Sequence, residues 1–218
     1  AFECYEKSAN GGNAKAQANL GVMYYDGKGT NQDFKKAFEW YNKSVNGGNI
    51  NAQNNLGIMY YDGKGTKKDL KMAFECYEKS AIGGNINAQN NLGLMYYDGK
   101  GTNQDFKKAF EWYTKSANGG NTDAQDMLGN MYYHGIGIKK DLKKAIKWYE
   151  LSANKDNISA QIFLAYIYNY NLKDNTKALY WHNYNLNNSQ HKKRSLESID
   201  SNTHNQSETM SPSKIQKT

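Results

Sequence analysis

Proline is almost missing: Pro212 is the single one in 218 residues, so everything before it is free to be helical. Cysteine is scarce too. Cys4 and Cys76 are too few for a disulfide framework and too far apart in sequence for a metal-ligand pair. The four histidines, His134, His182, His191 and His204, show no ligand spacing either, so no metal or cofactor is expected. No apolar run approaches the length of about 18 residues that a membrane span needs, and membrane insertion is not expected. The net charge of +7 is mild. Lysines fall in pairs at helix starts (Lys35/Lys36, Lys107/Lys108, Lys143/Lys144), a pattern that reads as a solvated face, and no nucleic-acid partner is expected.

What the chain has in quantity is repetition. Ala16, Ala52, Ala88, Ala124 and Ala160 stand 36 residues apart, each followed by Gln. Gly21, Gly57, Gly93 and Gly129 keep the same step, as do Asp33, Asp69, Asp105 and Asp141. The octapeptide MYYDGKGT recurs unchanged at Met23, Met59 and Met95. A 72-residue period lies over the first: Ala1–Ala9 recurs as Ala73–Ala81, and Asn31–Tyr41 as Asn103–Tyr113. Near-identical units offer near-identical surfaces, which argues against a unique catalytic site.

Each unit holds two helical patterns. One runs from about Ala52 to Tyr61, with Ala52, Leu56, Met59 and Tyr60 on a face; the other runs from about Leu70 to Ala81. Asp62–Gly65 supplies the glycines of a reversing turn. Either Asp69 caps the second helix, or Thr66 does with Asp69 three residues in. Gly83–Asn85 reads as a stop and turn. Helices this short do not persist alone in water, so stacking on neighbours must supply the burial. The last unit departs: Ala165 replaces the glycine, the Gly-rich turn is lost, and Trp181 arrives three residues early. Terminal repeats are often atypical, and a capping helix is expected around Trp181–Asn183. From about residue 187 the periodicity ends in a polar stretch that reads as disordered.

The pattern A-Q-x-x-L-G-x-M-Y-Y-x-G-x-G, then D-x-x-K-A, then W-Y-x-K-S-A-x-x-G, resembles the Sel-1-like repeat of the tetratricopeptide superfamily. The resemblance covers residues 1–186. It implies an all-α fold, a right-handed α-solenoid of about five 36-residue helix-turn-helix repeats, with 187–218 as a disordered tail. It also implies a scaffold or adaptor role with a protein or peptide partner. In that superfamily the first helices line the concave groove. That points to Val22, Tyr25, Asn54, Ile58, Tyr61, Asn90, Leu94, Tyr97, Asp126, Asn130 and Tyr133 as partner-binding residues, with packing between neighbouring first helices as the competing role for each Tyr. Some bacterial relatives carry a disulfide in every repeat. Here Cys4 and Cys76 share the phase of Trp40, Trp112 and Trp148, two units apart, and both read as packing residues.

No nucleophile with a base in reach can be inferred, so no catalytic residue is expected and the chain is read as not an enzyme. The repeated D-G-K-G lacks the remainder of a phosphate loop and reads as a structural turn. Ser195 and Ser211 sit in phosphorylation-like contexts. The chain opens mid-repeat and without Met, so it reads as a fragment. An alternative role is therefore the regulatory or substrate-docking arm of an enzyme, most plausibly a protein kinase, encoded upstream. Near-identical stacking surfaces also make end-to-end self-association an expectation. Low cysteine and no visible leader make the cytoplasm the default location.

Overall fold

The computed structural model describes residues 2–184, and every regular element among them is helical. In chain order these are α1 (Phe2–Asn10), α2 (Ala14–Asp26), α3 (Phe34–Asn46), α4 (Ile50–Asp62), α5 (Leu70–Ile82), α6 (Ile86–Asp98), α7 (Phe106–Asn118), α8 (Thr122–His134), α9 (Leu142–Ala153) and α10 (Ile158–Tyr166). A π-helical turn (Ile167–Asn171) and a last helix, α11, over residues 175–184 follow. The chain divides into two compact units between Ser152 and Ala153. The tail expected from residue 187, with Ser195 and Ser211, lies outside the described residues.

Helix ends are set by the same residues in each repeat of the first unit. Asn13, Asn49, Asn85 and Asn121 cap the first helices, each side chain accepting a backbone N–H in the first turn. Gly27, Gly63, Gly99 and Gly135 end those helices at φ between 68° and 77°, a conformation that only glycine adopts without strain. The second helices are capped by Asp33, Asp69, Asp105 and Asp141. Asp69, not Thr66, is thus the cap of α5, its Oδ1 accepting from Lys71 N and Met72 N at 3.0 Å.

Within a repeat, the interior glycine of the first helix lets the second helix approach. A Cβ built on Gly57 would lie 2.6 Å from the Tyr77 ring, and the same holds for Gly21 against Tyr41 and Gly129 against Tyr149. Ser44, Ser80, Ser116 and Ser152 then donate to the carbonyls of Ala14, Ile50, Ile86 and Thr122 at 2.6–2.8 Å. Between repeats, Gln17, Gln89 and Gln125 donate to the carbonyls of Ala9, Ala81 and Ala117. Phe38, Phe74 and Phe110 meet Tyr60, Tyr96 and Tyr132 of the following repeat edge-on, with centroids 5.3–5.4 Å apart. Leu56, Met59, Leu92, Met95, Leu128 and Met131 fill the space between helices. Burying each stabilises by roughly 1.5–3 kcal/mol, and this is the stacking that helices of 13 residues require.

Cys4 corrects an expectation: it is exposed, whereas Cys76 is buried. Cys4 lies on α1, which has no first helix before it among the described residues. Cys76 lies on α5, where Gln53 of the preceding first helix, α4, hydrogen-bonds its thiol. Burial pushes that thiol above the ordinary cysteine value, so it is held protonated.

In the second unit Asn157 caps α10 and Gln161 donates to Ala153 O. Asp156, at φ 62°, takes the left-handed place that Gly12, Gly48, Gly84 and Gly120 hold elsewhere. The π-helical turn replaces the lost glycine turn. It buries Ile167 and Tyr168, after which Asp174 caps α11 through Lys177 N.

Candidate interaction surface

The first helices of successive repeats are tied side by side, and this decides which positions stay open. Asn54 corrects the sequence reading: it is 6% exposed, and its Oδ1 accepts from Asn91 Nδ2 of the next first helix at 3.1 Å. It is a strut between α4 and α6. Asn90, Asp126 and Asn130 are half-buried. Val22 and Leu94 are exposed and Ile58 is half-buried, so the aliphatic row does face outward.

Tyr25, Tyr61, Tyr97 and Tyr133 are half-buried. The Tyr25 ring packs edge-on against Phe34 and that of Tyr97 against Phe106, both at 5.2 Å. The hydroxyls of Tyr25 and Tyr61 also serve the stack. Lys64 Nζ donates to Tyr25 Oη at 2.9 Å and Lys100 Nζ to Tyr61 Oη at 3.0 Å, each from the next repeat. The same ammonium groups reach Asp62 at 3.3 Å and Asp98 at 2.8 Å. Donation to Tyr25 and then to Asp62 holds the Lys64 ammonium above the usual lysine value. At Tyr97 the corresponding residue is Ile136, which cannot donate. Tyr25, Tyr61 and Tyr97 thus each have one side in the stack and one side facing out.

The outward sides line recesses that recur with the repeat. One, of about 200 Å³, is bounded by Val22, Tyr25, Asp26, Tyr41, Asn55 and Ile58. Another, of about 180 Å³, is bounded by the residues 36 further on, Ile58, Tyr61, Asp62, Tyr77, Asn91 and Leu94, with Met95. Each offers an aliphatic wall, an aromatic flank, a carboxylate and an amide. Asn55, Asn91, Asp26 and Asp62 were missed by the sequence reading. The Asn-Asn doublets Asn54–Asn55 and Asn90–Asn91 are the signal, since one member of each points inward and the other toward the recess.

The second unit carries its own cleft of about 550 Å³, lined by Ala165, Tyr166, Asn169, Tyr170, Leu179 and His182, among others. His182 follows Trp181 as Tyr149 follows Trp148, so the ring that covers glycine in the other repeats is replaced here. Among the described residues no cluster of His, Cys, Asp or Glu could hold a metal ion, and no helix is long and apolar enough to cross a membrane.

The Sel1 repeat family model matches residues 1–13, 14–49, 50–85, 86–121, 122–157 and 158–183. This chain belongs to the Sel1 repeat family. Repeats of this family mediate contacts between proteins. Among solved structures, a protective antigen of uropathogenic Escherichia coli with an SLR fold is 36% identical, with a TM-score of 0.78 over 84% of this chain. The chain spans 40% of that antigen's length. A Sel1 repeat protein of Oxalobacter formigenes is 33% identical over 81% of this chain and 73% of its own, with a TM-score of 0.74. An immunity protein of Pseudomonas aeruginosa, at 22% identity and a TM-score of 0.56, covering 85% of this chain and 72% of its own, shares the fold alone. No curated protein matches the sequence.

Proposed function

We propose that this Sel1 repeat chain is a non-catalytic scaffold that holds a protein partner along its first-helix face. The supporting observation is the pair of equivalent recesses 36 residues apart, each with the same aliphatic, aromatic, amide and carboxylate lining. A surface that repeats its chemistry at a fixed interval suits an elongated ligand gripped at several points. Val22, Ile58 and Leu94 form the apolar row, with Tyr25, Tyr61, Tyr97 and Tyr133 beside it and Asn55, Asn91 and Asn130 as polar flanks. Stiff aromatic area next to adaptable amides is the composition that protein-binding surfaces favour.

The test is quantitative affinity capture with the wild-type chain and with an Ile58→Asp/Leu94→Asp variant whose helical circular dichroism and melting temperature match the wild type. The expected outcome is loss of specifically captured proteins by the variant. Capture of the same proteins in the same amounts by both would overturn the reading.

A further inference from the structure

The lysines of the first unit are not spread evenly over its surface. Four segments, each a turn plus the first turn of a second helix, repeat in register: residues 26–36, 62–72, 98–108 and 134–144. The first and third carry three lysines against two aspartates, the second four against two, and the fourth four against one. Together they hold fourteen lysines and seven aspartates, whereas the remaining described residues hold nine lysines and eleven carboxylates. The basic character of this chain is concentrated in those four segments.

The fold brings the segments to one edge. Each turn abuts the start of the second helix before it: a Cβ on Gly65 would lie 2.1 Å from Phe34 O, on Gly101 2.2 Å from Leu70 O, and on Gly137 2.4 Å from Phe106 O. Lys35, Lys71, Lys107 and Lys143 are exposed and stand in 36-residue register along that edge. Beside them Lys36, Lys108 and Lys144 lie over the rings of Tyr24, Tyr96 and Tyr132 at 5.2–5.4 Å, which fixes where their charge is presented.

We propose that this lysine edge is a second binding surface, separate from the first-helix face, and that it takes an acidic polypeptide segment running across the repeats. Carboxylates spaced along an extended segment then meet one register lysine in each repeat. Polypeptide is favoured over nucleic acid by two features of the edge. Aspartates are interspersed, which a continuous phosphate chain cannot avoid. The nearby rings of Tyr24, Tyr96 and Tyr132 lie under ammonium groups and do not stand free for bases to stack on.

The experiment is fluorescence anisotropy with a labelled peptide carrying glutamate at every third position, its glutamine counterpart, duplex DNA, and phosphatidylserine vesicles. The glutamate peptide is expected to bind and the glutamine peptide not, with affinity falling at least about tenfold between about 50 and about 300 mM salt. A Lys35→Glu/Lys71→Glu/Lys107→Glu/Lys143→Glu variant is expected to bind the glutamate peptide at least about tenfold more weakly. It should melt at the same or a higher temperature, since glutamate suits a helix start. The Ile58→Asp/Leu94→Asp variant should bind the glutamate peptide unchanged, which separates this surface from the groove. Tighter binding of DNA or vesicles than of the glutamate peptide would overturn the proposal. So would equal binding by the lysine-reversed variant, or equal binding of the glutamine peptide.

Discussion

One hydroxyl group distinguishes otherwise equivalent tyrosines. The Tyr41 hydroxyl is hydrogen-bonded to Asn55. In the 36-residue register Tyr113 occupies the same place, but the position of Asn55 is taken by Met127, and the Tyr113 Oη is buried with no hydrogen-bond partner among the described residues. A buried polar atom without a partner costs more than its removal. Tyr113→Phe is therefore expected to leave stability unchanged or raise it by up to about 1 kcal/mol, while Tyr41→Phe lowers it by about 1 kcal/mol. Urea unfolding of the two variants measures the difference, and equal losses would refute the assignment.

The second helices α3, α5, α7 and α9 share a liability at high pH. Each contributes one tyrosine, Tyr41, Tyr77, Tyr113 or Tyr149, whose pKa burial pushes well above the ordinary value of 10.0. Below about pH 10 these hydroxyls are protonated in folded and unfolded chains alike, and they make no pH-dependent contribution. Above it the unfolded chain ionises first, so stability falls with rising pH by up to about 1.4 kcal/mol per unit for each tyrosine. Melting temperature is expected to be flat to about pH 10 and then drop steeply, with these tyrosines gaining phenolate absorbance only as the helices unfold. Absorbance that rises well ahead of the loss of helix would contradict the burial.

Helix type and repeat length were legible in the sequence; for the second helices the cap stood open between Asp69 and Thr66, and the asparagine caps of the first helices went unread. The core face of the first helices was legible too, since Ala52, Leu56 and Met59 are buried as their spacing implies, but its edge was not. Val and Tyr residues carry apolar character beyond that face, so periodicity does not mark where burial ends. A one-residue error turns a helix by about 100°, and that is the difference between Asn54, buried in a strut, and Asn55, which lines a recess. The second helices, with lysine and glutamate on one side and Ala73, Tyr77 and Ala81 on the other, carried no such ambiguity. Charge polarity was hidden for another reason: the lysine pairs look scattered in sequence, and only stacking places them on one edge.

Across the first unit, each repeat is held by its neighbours. Side-chain hydrogen bonds between repeats join residues 8 to 39 apart, from Gln17 to Ala9 up to Lys64 to Tyr25. Stability in such an array is a sum of repeat terms and nearest-neighbour terms. Excision of residues 50–85 would join Asn49 to Ile86, with Asn49 taking over the cap that Asn85 provides. The shortened chain is expected to stay helical and to unfold cooperatively at a lower midpoint, since one interface is lost and Gln89 now meets Val45 in place of Ala81. Circular dichroism with urea titration checks this, and a chain without helical signal would show that the repeats depend on more than their neighbours.

The nearest-neighbour wiring also bears on inheritance. Stretches of sequence this alike invite unequal crossing-over, and most exchanges of that kind would wreck a protein whose core is knit together over long distances. Here an exchange in register adds or removes a whole layer and leaves the junction chemistry as it was. The array's length is free to drift between generations, and with it the number of footholds that a partner finds.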